Sequence, residues 1–274
     1  MSALQLEGVT FTYPGADTAA LRGCTLAANA GAVTWLTGAL GSGTSTALLV
    51  AAGLAPRHTG GDRNGVVRTL GVDPREGDGR ALAGRLALVL AQPAAQLSGI
   101  AETVAQEVAF APANLGWSAD RIRGATDDAL QRLGITHLAD RNPASLSGGE
   151  MQRAVIASML ILQPELWLLD EPTSALDTPG QELVHRLMRS EAERGATVVV
   201  ASEDADGLLP VADRLVVFEK GRPVLDGDPR ALLGGDAVWH AGAGSTMVAA
   251  LGHAGGIAAP RPLTVQEAVK QWSE

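Results

Sequence analysis

The stretch VTWLTGALGSGTSTALLV, residues 33–50, constrains the chain more than any other. An apolar run ends in Gly38, a glycine-rich loop follows, and Ser45 and Thr46 open a segment of helical composition. Strand, glycine loop, helix is the arrangement in which backbone N–H groups and a helix N-terminus converge on a phosphate. The usual loop is Gly, four residues, Gly, Lys, then Ser or Thr. Gly38, Gly41, Ser42, Gly43 and Ser45 suit that pattern, but Thr44 stands where the lysine belongs. The helix is expected to stop near Gly53 and Pro56.

The rest of the chain repeats the alternation. Leu4, Leu6, Val9 and Phe11 predict a short edge strand, followed by a turn. Residues 26–36 read as strand material broken by a turn at Gly31, and 57–80 as strands with loops. RLALVLAQP predicts a buried strand ending at Gln92. Residues 99–138 turn helical, as an insertion between two strands. Then come a helix over 147–162, the strand LWLLD, a helix from Thr178, the strand TVVVAS and a hairpin around Lys220 and Gly221. This order predicts an α/β fold with a mostly parallel sheet covered on both faces. Hydrophobic residues make up 46% of the chain and aromatics 3%, so the core must be built from Ala, Val and Leu. Residues 229–274 carry GAG, GHAGG and APRP breaks and predict a weakly helical C-terminal appendage.

Several classes are disfavoured. A net charge of −9 argues against nucleic-acid binding, which needs a basic surface. The lone Cys24 leaves no intramolecular disulfide framework. No secretory signal is expected at the N-terminus, and no apolar run reaches the ~18 residues of a membrane span. Work at a membrane would be that of a peripheral subunit.

Two further stretches carry chemistry. LWLLDE delivers Asp170 and Glu171 at the end of an apolar strand, where ligands of open α/β sheets bind. Asp170 is placed to hold Mg²⁺ with Ser45, and Glu171 to polarise an attacking water. LSGGEMQR, residues 146–153, opens a helix on Ser147 and forms a second anion-binding N-terminus.

LSGGEMQR resembles the signature motif of ATP-binding-cassette (ABC) ATPases, and LWLLDEPTSALD resembles their Walker B strand, catalytic glutamate and D-loop in one piece. The resemblance spans residues 4 to about 228. It implies a P-loop NTPase cassette over 1–228, with an antiparallel β edge and a helical subdomain inserted at about 97–145. Its implied ligands are ATP and Mg²⁺. Tyr13 looks like the aromatic that stacks on adenine, and Gly38 to Thr46 like the phosphate cradle. Gln92 looks like the glutamine that joins the metal site to the membrane partner, with Ser45 and Asp170 as the other Mg²⁺ contacts. Ser147, Gly148, Gly149 and Glu150 would act in trans on a partner's nucleotide, beside the D-loop residues Ser174, Ala175, Leu176 and Asp177. AQPAAQL followed by TVAQEVAFAPANLG is similar to the cassette subunits of energy-coupling factor importers, and APRPLTVQEAVK looks like their C-terminal dimerisation segment. That likeness implies a second cassette, a transmembrane coupling subunit, a substrate-binding membrane subunit and the cytoplasmic face of the cell membrane.

Two positions depart from the family pattern. Thr44 replaces the phosphate-binding lysine, and Glu203 occupies the place of the switch histidine. A carboxylate there repels a triphosphate. Hydrogen bonds to charged groups are worth ~1.5–3 kcal/mol, so losing the lysine should weaken nucleotide binding by roughly one to two orders of magnitude. In the head-to-tail packing that the family implies, Thr44 and Glu203 fall in one composite site and LSGGE in the other. The expectation is the degenerate half of a heterodimer, an ATP hydrolase within its complex and negligibly active alone. A non-hydrolysing, nucleotide-responsive scaffold and a soluble cassette ATPase unlinked to transport are the alternatives.

Overall fold

The computed structural model describes residues 2–76 and 79–272. Residues 77–78 of the expected 57–80 segment and residues 273–274 of the tail lie outside them.

Two sheets form the frame. An antiparallel sheet joins β1 (Ser2–Thr12) to β2 (Leu21–Asn29) on one side and to β4 (Asp62–Thr69) on the other. The central six-stranded sheet has the order β5 (Leu86–Val89), β6 (Leu166–Asp170), β7 (Thr197–Ala201), β3 (Val33–Gly38), β8 (Arg214–Glu219), β9 (Arg222–Gly227). Its first five strands are parallel, and β9 returns antiparallel through the hairpin expected at Lys220 and Gly221. Residues 26–36 therefore belong to different sheets: the turn at Gly31 carries the chain from one to the other. Among the described residues of 57–80 there is a single strand, β4, and β5 stops at Val89, three residues before Gln92.

Side-chain alternation divides the central strands between two cores. Leu36, Leu166, Leu168, Val199, Val216 and Phe218 face the antiparallel sheet and α1 (Thr44–Ala51). Trp35, Trp167, Leu169, Val198, Val200 and Val217 face the opposite layer. With both faces covered, LWLLD and TVVVA are buried at every residue, which is why they read as unbroken apolar runs.

The opposite layer contains α5 (Gly148–Leu160) and α6 (Thr178–Glu193). Between β5 and α5 lie α3 (Val104–Asn114) and α4 (Ala119–Arg132). Two four-residue helices, α2 (Leu54–Arg57) and α7 (Ala205–Leu208), follow α1 and β7. The tail forms α8 (Pro229–Gly234), α9 (Ala237–His240), α10 (Met247–Ala254) and α11 (Val265–Trp272). It is not a loose extension. Leu233, Val238, Ala249 and Leu263 are buried in the same cluster as Leu215 and Val217 of β8.

Candidate functional site

Register assembles the site. Leu36 of β3 pairs with Ala201 of β7, and Asp170 of β6 pairs with the same Ala201. The glycine loop after β3, the acids ending β6 and the segment after β7 therefore emerge side by side at the carboxyl edge of the sheet. They line one cleft, with Gly38 to Gly41, Thr44 and Ser45 on one side and Asp170, Glu171, Ser202 and Glu203 on the other. Its volume is about 130 Å³.

The loop is held tightly. A Cβ on Gly38 would stand 2.3 Å from the Phe218 carbonyl oxygen and 2.8 Å from Ser42 Oγ. Gly43 has φ +106°, and Gly221 N–H donates to the Ser42 carbonyl at 2.8 Å. Gly43 is the N-cap of α1, and no side chain caps that helix. The first-turn N–H groups are thus left to an anion.

The sheet edge contributes acids. Ser45 Oγ donates to Asp170 Oδ1 at 2.9 Å. Burial pushes the Asp170 carboxyl above its usual range, against the pull of that hydroxyl. Glu171 accepts from Ser202 Oγ at 3.0 Å and from the Glu203 backbone N–H at 3.1 Å. Its pKa is raised, first by burial, with the neighbouring Glu203 and Asp170 charges adding and the two donors opposing. Glu171 also has φ +47°, a left-handed conformation that costs a non-glycine residue on the order of 1 kcal/mol. The Glu203 side chain is exposed. No Lys, Arg or His is among the described residues lining the cleft. Within this lining, backbone N–H groups and the α1 terminus supply the positive potential.

The residues expected here divide into three groups. Gly38, Gly41, Thr44, Ser45, Asp170, Glu171 and Glu203 share the cleft. Tyr13 and Thr46 stand at its flank, with Tyr13 Oη 3.2 Å from Thr46 Oγ1 and its ring edge-on to Phe11 at 4.8 Å. Gln92 does not line the cleft; it is exposed, one residue before a 3-10 turn over Pro93–Gln96. Gln96 instead ties down the end of β5, accepting from Leu90 N–H at 2.6 Å and donating to the Leu88 carbonyl at 2.8 Å.

Ser147 to Glu150 lie outside the cleft and build a separate helix terminus. Ser147 Oγ accepts from Glu150 N–H at 3.4 Å, and Glu150 Oε2 accepts from Ser147 N–H at 2.8 Å. This capping box leaves Ser147 and Gly148 exposed. The Ser147 backbone N–H holds the Glu150 carboxyl below its usual range. The expected D-loop supports this terminus, since a Cβ on Gly149 would stand 3.0 Å from the Ala175 carbonyl oxygen. Ser174 Oγ donates to the Glu171 carbonyl at 3.0 Å, and Asp177 caps α6 by accepting from Gly180 N–H at 3.1 Å. Leu176 is buried between them.

Sequence reasoning missed Ser202. It holds Glu171 with its hydroxyl, while its carbonyl accepts from Trp35 Nε1 at 2.8 Å. Its place directly before Glu203 was the only available signal.

A parallel sheet with a phosphate loop after one strand and an acid pair after another defines a P-loop NTPase. The chain belongs to the ABC transporter family, whose model matches residues 21–174. It is 38% identical over 230 residues to an ABC transporter ATP-binding protein of Pyrococcus horikoshii, covering 84% of this chain and 80% of that protein. It is 34% identical over 228 residues to an energy-coupling factor transporter ATP-binding protein of Methanospirillum hungatei, covering 82% of this chain and 55% of that protein. Among solved structures, it superposes with a TM-score of 0.71 and 30% identity on cbiO1 from Clostridium perfringens, described as part of the ABC transporter complex cbiONQ; the match covers 84% of this chain and 90% of the other.

The residues fit Mg²⁺ and a triphosphate only in part. Among the described residues no group of three or more His, Cys, Asp or Glu could hold a metal. Mg²⁺ at Ser45 and Asp170 would therefore need phosphate oxygens to complete its shell, which is its usual habit. The loop fits a phosphate by shape and N–H groups but brings no cation at Thr44. Among the described residues no helix is long and apolar enough to cross a membrane.

Proposed function

We propose that this chain is the nucleotide-binding, energy-coupling subunit of an importer of the energy-coupling factor type, and the degenerate half of a cassette heterodimer. Its own cleft binds ATP weakly, and its signature helix completes the active site of a partner cassette. The observation that carries this reading is the contrast between its two phosphate-facing elements. The Ser147 terminus is exposed and shaped by a capping box. The Thr44 cleft gathers three carboxylates and no cationic side chain among its described lining residues. The likeness to the Methanospirillum and Clostridium proteins supports the importer class. The cleft volume of about 130 Å³, below the ~300–1,000 Å³ of a self-contained ligand pocket, supports a site finished by another surface.

In this reading, Ser45 and Asp170 hold Mg²⁺, and the loop and α1 N–H groups orient the phosphates. Tyr13 carries the base, and Glu171 orients water. Bound Mg²⁺ would neutralise phosphate charge that no side chain offsets here. The partners are a second cassette, a transmembrane coupling subunit and a substrate-binding membrane subunit, at the cytoplasmic face of the membrane. The cassette is read as residues 1–228, with the helical subdomain inserted at about 97–145, and residues 229–274 as a dimerisation segment packed on it.

The test is ATPase assay of the full chain alone and with its partner cassette. The isolated chain should turn over negligibly. Robust Mg²⁺-dependent hydrolysis by this chain alone, abolished by Glu171→Gln, would overturn the assignment. In the reconstituted heterodimer, Ser147→Arg should abolish turnover. Transport that survives this change favours the non-hydrolysing scaffold.

A further inference from the structure

The segment after β7 is fastened to more than Glu171. Asp204 N–H donates to Ser202 Oγ at 3.2 Å, so one hydroxyl joins Asp204 to the Glu171 carboxylate. Asp204 Oδ1 accepts from Gly207 N–H at 2.9 Å and caps α7. Its other oxygen, Oδ2, stands 3.3 Å from Nε2 of His185 on α6, off the line of a full hydrogen bond. The His185 side chain is 9% exposed. A Cβ on Gly207 would lie 2.1 Å from His185 Cε1 and 2.4 Å from Asp204 Oδ2. Imidazole, carboxylate and the α7 backbone are therefore interlocked at contact distance. His185 also holds the Asp204 carboxyl below its usual range, which agrees with an attractive contact.

We propose that His185 is a positioning residue for Glu171. It pins Asp204, Asp204 fixes the 202–204 segment, and that segment holds both Glu171 oxygens through Ser202 Oγ and the Glu203 N–H. The side chain at 203 takes no part; only its backbone does. An α6 residue with no place in the cleft thus sets where the acid beside the phosphate loop lies. The proposal rests on reading Glu171 as the acid of this chain's own site, but its consequence is geometric and requires no turnover.

The Trp35 indole N–H reports on the segment, because it bonds the Ser202 carbonyl. In the full-length chain, His185→Leu keeps an apolar body but removes the polar contact. It should shift the Trp35 indole cross-peak, assigned with Trp35→Phe. It should also speed amide exchange over 202–208 by about tenfold, leaving 146–160 unchanged. His185→Gln should restore most of both. Asp204→Asn should reproduce the effect, and the double variant should be no worse than either single. The proposal is wrong if His185→Leu leaves peak and exchange unchanged, if exchange rises across every strand, or if the two single effects add. Should His185→Leu not fold, the cycle of His185→Ala with Asp204→Asn decides by the same additivity criterion. Negligible ATPase leaves these readouts intact, so a failed positioning role and a failed assignment of the site remain distinguishable.

Discussion

Ser45 Oγ and Asp170 Oδ1 stand 2.9 Å apart although 125 residues separate them. Parallel register brings them together, since β3 and β6 flank β7 and both Leu36 and Asp170 pair with Ala201. The Ser45 hydroxyl is a hydrogen-bond donor to the buried Asp170 carboxylate.

Restoring the missing cation should restore affinity. Thr44→Lys is expected to tighten Mg-ATP binding by roughly one to two orders of magnitude, read by calorimetry on the isolated chain. Adding Glu203→His should remove the repulsive carboxylate and tighten it further. Unchanged affinity in both variants would show that the loop's backbone, not its lost charge, limits binding.

Asp170 and Glu171 titrate above their usual range in the folded chain. The folded state then binds protons that the unfolded state has already lost, so stability falls as pH rises from the ordinary carboxylate range through the raised folded values. Asp170→Asn should abolish its share of that slope. It should also stabilise the nucleotide-free chain at pH 7 by on the order of 1 kcal/mol, about 2–4 °C in Tm. The sign should reverse with Mg²⁺ and nucleotide, which stabilise wild type and not the variant. Thermal melts at pH 5 and 8, with and without Mg-ATP, test both halves.

Gly38 has no room for a side chain. Gly38→Ala forces a methyl toward the Phe218 carbonyl oxygen, where 2.3 Å is available. Urea unfolding should show a loss of about 1–3 kcal/mol, and phosphate-loop binding should fall with it.

The capping box at Ser147 has a structural value apart from any role in trans. Ser147→Ala should cost about 1 kcal/mol by chemical denaturation. The exposed Ser147→Thr retains the acceptor and should recover most of it. A loss of partner turnover in Ser147→Arg far beyond what Ser147→Ala produces would separate function from capping.

Local patterns in the chain carried much of this protein. The strand–glycine–helix run at 33–50 and the unbroken apolar runs ending at Asp170 and Ala201 announced a parallel sheet with ligands at its carboxyl edge. Ser147 announced the start of a helix, because an N-cap preference is written in a single residue. These signals are legible because their causes are local: backbone freedom at glycine, burial on both faces and a side chain's reach to its own helix.

Other features needed the fold. That 26–36 splits between two sheets depends on how the sheets stack, not on the turn at Gly31. Gln92 carries a family likeness but lies outside the cleft, since its position follows from where β5 ends and how Gln96 ties it down. The tail looked like an appendage, and Leu233, Val238, Ala249 and Leu263 bury it in the main core. Thr44 and Glu203 were visible as departures in the sequence. The family likeness put them in one site, where the structure sets them on one cleft with Asp170 and Glu171; only the tertiary structure brought in Ser202 and the Glu203 N–H to hold the acid there. Strand order and register choose which distant residues become neighbours, and no stretch of sequence contains that choice by itself.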